Sequence, residues 1–181
     1  QKIWHPTLPK TALRKKHRLP EDGYLVGSFQ RDTEGSDLVS PKMEKGPDLL
    51  ADVLEKVFKT QPNLHVVLGG WRRQYIINRL KKAGIPFSYF EKPTQEVINE
   101  LYQTLDIYPV TARQEGGPQS LIECGLLGIP CVSRDIGIAS QLLPPIACND
   151  IIEACFPAVP NVEHLKLPMG YAQYRKLIEE V

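Results

Sequence analysis

The feature that most constrains this sequence is an alternation of two periodicities. Tyr24–Phe29, Leu64–Leu68, Phe87–Phe90, Asp106–Val110 and Pro130–Ser133 are short apolar runs bounded by turn residues, and each reads as a strand. Between them the spacing turns helical. After Gly46-Pro47-Asp48, the residues Leu49, Leu50, Val53, Leu54, Val57 and Phe58 recur along one helical face. Pro47 suits the first helical position, where its missing N–H costs nothing. Trp71–Ala83 reads as a helix stopped by Gly84 and Pro86. Thr94–Thr104 has Thr94 as a candidate N-cap. Pro118–Leu127 and Ile138–Leu143 complete the series, and Pro145–Cys148 reads as a last short strand. The segments Gln30–Lys45 and 149–168 lack a regular pattern, and Tyr171–Val181 reads as a polar terminal helix. Such alternation implies βαβ units, hence a Rossmann-like α/β fold: a parallel sheet with helices on both faces. Ligands of such sheets bind at the carboxyl ends of the strands. The loops after Phe29, Leu68, Phe90, Val110 and Ser133 are therefore the ones to search.

Composition excludes several classes. Of 181 residues, 42% are apolar and 24% charged, which is globular rather than disordered. A net charge of +1 leaves no broad basic footprint for nucleic acid. No apolar run approaches the ~18 residues of a membrane span. The cysteines Cys124, Cys131, Cys148 and Cys155 show no C-x-x-C spacing and read as reduced thiols of a cytoplasmic protein. His5, His17, His65 and His164 are scattered, so no metal site is expected. Ser120 lacks a G-x-S-x-G frame, Gly69-Gly70 is not a G-x-G-x-x-G turn, and no D-x-D triplet occurs. The start at Gln1, without an initiator Met or signal-peptide pattern, reads as entry partway through a longer chain. Residues 1–23 then read as an interdomain linker, solvated and carrying one helical turn. Their basic run, Lys10, Arg14, Lys15, Lys16, His17 and Arg18, would alternatively face an anionic acceptor or a membrane surface.

The loop Thr111–Glu123 carries the strongest chemical signal. Gly116 and Gly117 let backbone approach a ligand closely. Pro118 then starts a helix whose N–H groups at Gln119, Ser120 and Leu121 point outward, which is a phosphate site. Glu123 lies further into the helix, where a carboxylate would accept hydrogen bonds from both hydroxyls of a ribose. Glu115, on the loop, would face a sugar beyond the phosphates. A diphosphate leaving group also needs cations. Arg31 and Lys45 flank the segment after the first strand, with Gln30 and Lys42 as competitors for the partner role. Gly70 or Arg72 would reach phosphate or donor sugar, and Phe90 with Lys92 would hold a nucleobase.

These residues form a set that resembles a known family. Glu115-x7-Glu123, continued by Cys124-Gly125-Leu126-Leu127-Gly128-Ile129-Pro130-Cys131-Val132, resembles the E-x7-E segment and its E-A-x-x-x-G-x-P-V-V continuation. Both are marks of retaining GT-B glycosyltransferases of the family 4, glycogen-synthase-like group 1 type. Lys45-Gly46-Pro47-Asp48-Leu49-Leu50 resembles their K-G-x-D-x-L helix start, and Leu101–Tyr108 their L-Y-x-x-A-D-x-x segment. Ile136-Gly137-Ile138-Ala139 resembles their G-G-I-x-E turn. The resemblance runs in consistent order over residues 24–143. The sequence departs from it in placing Ser28 after Gly27, in separating Arg31 widely from Lys45, and in replacing E-G-F-G by Glu115-Gly116-Gly117-Pro118.

The resemblance implies a C-terminal donor-binding half over 24–168, a C-terminal helix over 169–181, and an N-terminal acceptor domain absent from this chain. The whole enzyme would move a hexosyl group, with retention and without a metal, to a sugar, glycan or lipid-linked acceptor. The donor would be a nucleoside diphosphate sugar, UDP- or GDP-linked, and no cofactor is expected. Glu115, Arg31 and Lys45 would be catalytic. Gly116, Gly117, Pro118, Gln119, Ser120, Leu121, Glu123, Gly70, Phe90 and Lys92 would bind the donor. The full-length protein would associate peripherally with membranes. The alternatives are a non-catalytic nucleotide-binding module of the same fold and another GT-B enzyme, an epimerase or phosphorylase.

Overall fold

The computed structural model describes residues 3–35 and 37–166, with residues 170, 172, 175, 176 and 179 beyond them. The terminal helix expected over 171–181 lies outside the continuously described residues. The elements run in the order α1 (Lys10–Lys16), β1 (Tyr24–Ser28), α2 (Pro47–Phe58), β2 (Leu64–Gly70), α3 (Gln74–Ala83), β3 (Phe87–Glu91), α4 (Gln95–Thr104), β4 (Tyr108–Val110), α5 (Gln119–Leu127), β5 (Cys131–Ser133) and α6 (Ala139–Leu142). No helix among the described residues is long and apolar enough to cross a membrane.

All strand pairs are parallel. Tyr24 lies opposite Leu64, Val66 opposite Phe87, and Tyr108 opposite Cys131. A parallel bridge between Val26 and Ile107 joins the two groups of strands, giving the order β3-β2-β1-β4-β5. The Asp106 N–H donates to the Leu25 carbonyl at 2.9 Å, and the Gly27 N–H to that of Ile107 at 3.1 Å. The connection changes direction between β1 and β4, so their carboxyl ends open the crevice in which such sheets hold ligands. The segment 145–148 contributes a single bridge, Ser133 to Cys148, where a short strand was expected.

Side chains alternate across the strands and so build two cores. Leu25 and Val67 face a cluster with Leu101, Leu105, Leu121 and Cys124. Val26, Val66 and Leu68 face a second cluster with Leu50, Leu54, Ile76 and Leu80. Helices α4 and α5 cover the first face, and α2 and α3 the second. All four cysteines are free.

Helices α3 and α5 begin later than their periodicity suggests. Helix α3 starts at Gln74 rather than Trp71, because Arg72 is left-handed at φ 58°. A left-handed residue cannot continue a right-handed helix. The N–H groups of Asp32 and Thr33 both donate to the Arg72 carbonyl at 3.2 Å and hold it there. Helix α5 starts at Gln119, and Pro118 is its N-cap with extended backbone.

The segment before β1 is not a solvated strip. Helix α1 packs against α4, burying Leu13 and Arg14. Lys10 and Arg14 pair with Asp106 at 2.5 and 2.7 Å, and Asp106 also accepts from the Leu25 N–H at 2.7 Å. Burial pushes the Asp106 carboxyl up, but the Lys10, Leu25 and Arg14 hydrogen bonds overcome that and hold it below the usual range. Lys16 and His17 bond to the two oxygens of Glu100 at 2.7 and 2.8 Å. Four members of the basic run thus turn toward acids of this same domain.

A fully buried arginine ties the carboxyl ends of β1 and β2 together. Arg73 donates to the carbonyls of Ser28 and Gly69 at 2.5 and 2.9 Å, to the Ser28 hydroxyl at 2.8 Å, and to Asp32 at 2.9 Å. Burial pushes the Asp32 carboxyl up, and the Arg73 guanidinium opposes that shift.

Candidate functional site

At the carboxyl ends of β1 and β4 lies a cavity of about 510 Å³. Lys45, Glu115, Gly117, Gln119, Ser120 and Glu123 all line it. The local sequence explains how residues so far apart meet. Gly46 is left-handed at φ 60°, and a Cβ there would overlap the Thr111 carbonyl. Glycine therefore lets the start of α2 touch the end of β4, which sets Lys45 against the Thr111–Glu115 loop. Arg113 locks that contact. Its guanidinium grips the Asp48 carboxylate in a fork of 2.7 and 2.6 Å, and its N–H donates to the Glu44 carbonyl at 2.8 Å. The Arg113 hydrogen bond holds the Asp48 carboxyl below its usual range. Lys45 Nζ then bonds to Glu115 Oε1.

The loop after β5 supports Glu115 from the other side. Gly137 is left-handed at φ 53°, and a Cβ there would overlap the Gly116 carbonyl and lie 2.7 Å from that of Glu115. Beyond the loop, α5 has no acidic residue in its first turn and no side-chain cap. The Leu121 N–H is satisfied by the Pro118 carbonyl at 3.0 Å. Gln119 and Ser120 supply the outward donors at the positive end of the helix dipole.

Glu123 sits deeper, three residues past Ser120, or about 4.5 Å along the helix at ~1.5 Å per residue. Its Oε2 accepts the Tyr102 hydroxyl at 2.8 Å. Burial pushes the Glu123 carboxyl up, against the opposing effect of the Tyr102 hydrogen bond. Tyr102 is itself 1% exposed, and burial pushes its phenol well above the ordinary value, so it stays a neutral donor. Around it gather Phe29 at 4.7 Å between ring centroids, Tyr108 at 5.2 Å and Trp4 at 5.8 Å. The Tyr108 hydroxyl accepts the Phe29 N–H at 3.0 Å. The cavity thus grades from a lysine, past free helix N–H groups, to a half-buried carboxylate on an aromatic floor.

Other expected site residues lie elsewhere. Arg31 is exposed, and its Nε donates to the Thr33 carbonyl at 2.8 Å. Gln30 lines the cavity in its place, with its amide on the Lys45 carbonyl at 2.9 Å. Lys42 pairs with Glu44 at 3.2 Å. Gly116 is exposed on the same loop, whereas Pro118 and Leu121 are buried. Phe90 packs edge-on to His17 at 5.8 Å. Gly70 and Lys92 sit at the ends of β2 and β3, where the Lys92 N–H donates to the Gly70 carbonyl at 3.1 Å. The aromatic floor escaped the sequence reading, because Tyr102 and Tyr108 occupy ordinary core positions. The available signal was that a buried phenol needs a partner for its hydroxyl. Among the described residues, no group of three or more His, Cys, Asp or Glu could hold a metal ion.

The chain belongs to the family described as glycosyl transferases group 1, whose model matches residues 10–146. It is 27% identical over 134 residues to the Escherichia coli O-antigen biosynthesis glycosyltransferase WclY, covering 74% of this chain and 35% of that protein. It is 24% identical over 149 residues to the lipopolysaccharide core biosynthesis mannosyltransferase LpsB of Rhizobium meliloti (strain 1021), covering 78% of this chain and 40% of that protein. The chain therefore spans well under half the length of these curated relatives. Among solved structures it is similar to Anabaena Alr3699/HepE in complex with UDP and glucose. That match has a TM-score of 0.64 at 18% identity, over 80% of this chain and 38% of that one. The sucrose-phosphate synthase of Thermosynechococcus elongatus matches with a TM-score of 0.66 at 17% identity, over 99% of this chain and 51% of that one. At these identities the structures bear on the fold alone.

Proposed function

We propose that this chain is the donor-binding half of a retaining glycosyltransferase that takes a hexosyl group from a UDP- or GDP-linked sugar. The observation that carries the reading is the order of groups in the cavity: Lys45 and Glu115, then the Gln119 and Ser120 N–H groups, then Glu123. A nucleoside diphosphate sugar presents its parts in the matching order. The diphosphate would lie on the start of α5 beside Lys45, and the ribose hydroxyls would reach Glu123. Glu115, released from Lys45, would face the hexose. The bond from the anomeric carbon to the leaving phosphate breaks, and the acceptor oxygen bonds to that carbon from the same face. The acceptor proton passes to the leaving phosphate. Lys45 and the helix N–H groups would stabilise the charge that develops on that phosphate, the part a metal plays in other transferases. The acceptor, a sugar, glycan or lipid-linked sugar, would be held mainly by the other half of the two-domain fold. The 181-residue chain alone would then bind donor and transfer nothing. Free thiols suit a cytoplasmic setting.

Calorimetric titration with UDP, GDP, ADP and their sugars tests the reading. One nucleotide series should bind, and Glu123→Ala should weaken it about 10- to 100-fold, since charge-assisted hydrogen bonds are worth ~1.5–3 kcal/mol. Absence of binding, or unchanged affinity in the variant, would overturn it. Binding without transfer by the full-length protein would favour the non-catalytic module instead.

The Glu123 carboxyl also sets a pH dependence. Its ionised form accepts both hydroxyls, so affinity should fall as pH is lowered through a value above that of an ordinary glutamate. Stability of the unliganded chain runs the opposite way. A raised folded pKa contributes stability below the unfolded pKa, and that contribution is lost as pH rises through the folded one. Glu123→Gln should therefore raise the melting temperature at neutral pH while it weakens nucleotide binding. A lowered melting temperature would show that the charged carboxylate stabilises the empty site.

A further inference from the structure

Beyond the donor cavity, the carboxyl ends of β2 and β3 carry a second cluster, whose Arg72 and Lys92 were expected at the donor but do not line that cavity. Trp71 is 46% exposed, although a large aromatic usually buries more. The Arg72 guanidinium lies 4.5 Å from the centre of its ring and the Lys92 ammonium 4.9 Å. Arg72 donates only to a backbone carbonyl, that of Gly35 at 2.7 Å, and its Nε is buried without a hydrogen-bond partner among the described residues. No ion pair with an acid forms at either cation among the described residues.

Both cations also stand on unusual backbone. Arg72 and Lys92 are left-handed, at φ 58° and 47°. Such conformations are costly for residues with side chains and gather where a site imposes them. The strain is held in place: Asp32 and Thr33 N–H groups and the Thr33 hydroxyl donate to the Arg72 carbonyl, and Lys92 is bonded to Gly70. The cluster borders the donor cavity without joining it. Lys92 precedes Pro93, which lines that cavity, and the Phe29 ring of its floor packs against Gly69.

We propose that Trp71, Arg72 and Lys92 form a separate binding site for a sugar phosphate. Two cations without acidic partners suit one phosphate, with Arg72 supplying a planar fork and Lys92 a point charge. The partly exposed indole offers an apolar surface to the sugar ring. The net charge of +1 argues for a small anion here rather than a nucleic acid. If the transferase reading holds, this site receives the phosphorylated part of the acceptor.

The chain contains two tryptophans, Trp4 in the donor cavity and Trp71 in this cluster, so their indole N–H resonances report the two sites separately. Trp4→Phe and Trp71→Phe assign the two signals. UDP should shift the Trp4 signal. Glucose 1-phosphate, added to UDP-saturated protein, should then shift the Trp71 signal, and glucose should not. The variant carrying Arg72→Ala and Lys92→Ala should weaken glucose 1-phosphate at least tenfold and UDP by a clearly smaller factor. Lys92→Ala alone keeps the test available if the double variant folds poorly. The proposal fails if the Trp71 signal ignores glucose 1-phosphate, if inorganic phosphate binds as tightly, or if UDP weakens by the same factor as the sugar phosphate. A Trp4 signal indifferent to UDP would instead count against the donor reading.

Discussion

Lys45→Ala should lower the transferase activity of the full-length protein by about 10²–10³-fold, the usual cost of removing one group that stabilises a developing anion. Of the charged side chains on the cavity wall, Lys45 is the cation. Arg31, the expected partner, points to the Thr33 carbonyl, and Gln30 occupies the neighbouring wall without charge. The leaving phosphate would therefore depend on Lys45 and on the α5 N–H groups. Lys45 is bonded to Glu115 in the cavity, so on the proposed reading a donor diphosphate would replace one carboxylate with another anion. The loss should fall on kcat more than on UDP affinity, because charge on the leaving oxygen grows toward the transition state. Lys45→Arg should recover part of the rate. Steady-state kinetics checks the effect, and a loss below about tenfold would remove Lys45 from the leaving-group role.

Arg73→Leu should destabilise the fold by about 3–5 kcal/mol, since breaking a buried ion pair leaves the other charge uncompensated. Arg73 is 0% and Asp32 0% exposed, so water cannot rescue the survivor. Arg73 also donates to the Ser28 and Gly69 carbonyls, and the variant would lose both hydrogen bonds. The cost is a large share of the ~5–15 kcal/mol by which domains are stable. Replacing both partners, Arg73→Leu with Asp32→Leu, should cost less than the sum of the two single changes, because neither charge is then left alone. Urea unfolding of the four proteins measures the coupling. Additive losses would show that Arg73 acts through its carbonyl bonds and not through Asp32.

The alternation of apolar strands and amphipathic helices carried most of the architecture, because both periodicities are local. Boundaries failed where distant contacts override them. Trp71 to Arg73 has helical spacing, yet Asp32 and Thr33 hold Arg72 left-handed. The basic run before β1 reads as solvated, yet Asp106 and Glu100 supply its partners from more than eighty positions away. No local pattern announces such pairs. In the cavity, Lys45-Gly46 and Glu115 through Glu123 were legible because glycines and helix starts leave local marks. Gln30 was legible only as a competitor of Arg31, and Tyr102 and the Arg113–Asp48 fork were not legible at all. Their roles depend on which loops meet at the β1–β4 crevice, and that is settled by topology.

A diphosphate held at the start of α5 would meet the N–H groups of Gln119 and Ser120 first. Backbone amide resonances of Gln119 and Ser120 report it directly. Titration with UDP should shift both strongly, and uridine, which lacks the phosphates, should leave them nearly still. If UDP binds without moving these two amides, or if uridine moves them equally, the phosphate site is elsewhere and this cavity does not hold the donor as proposed.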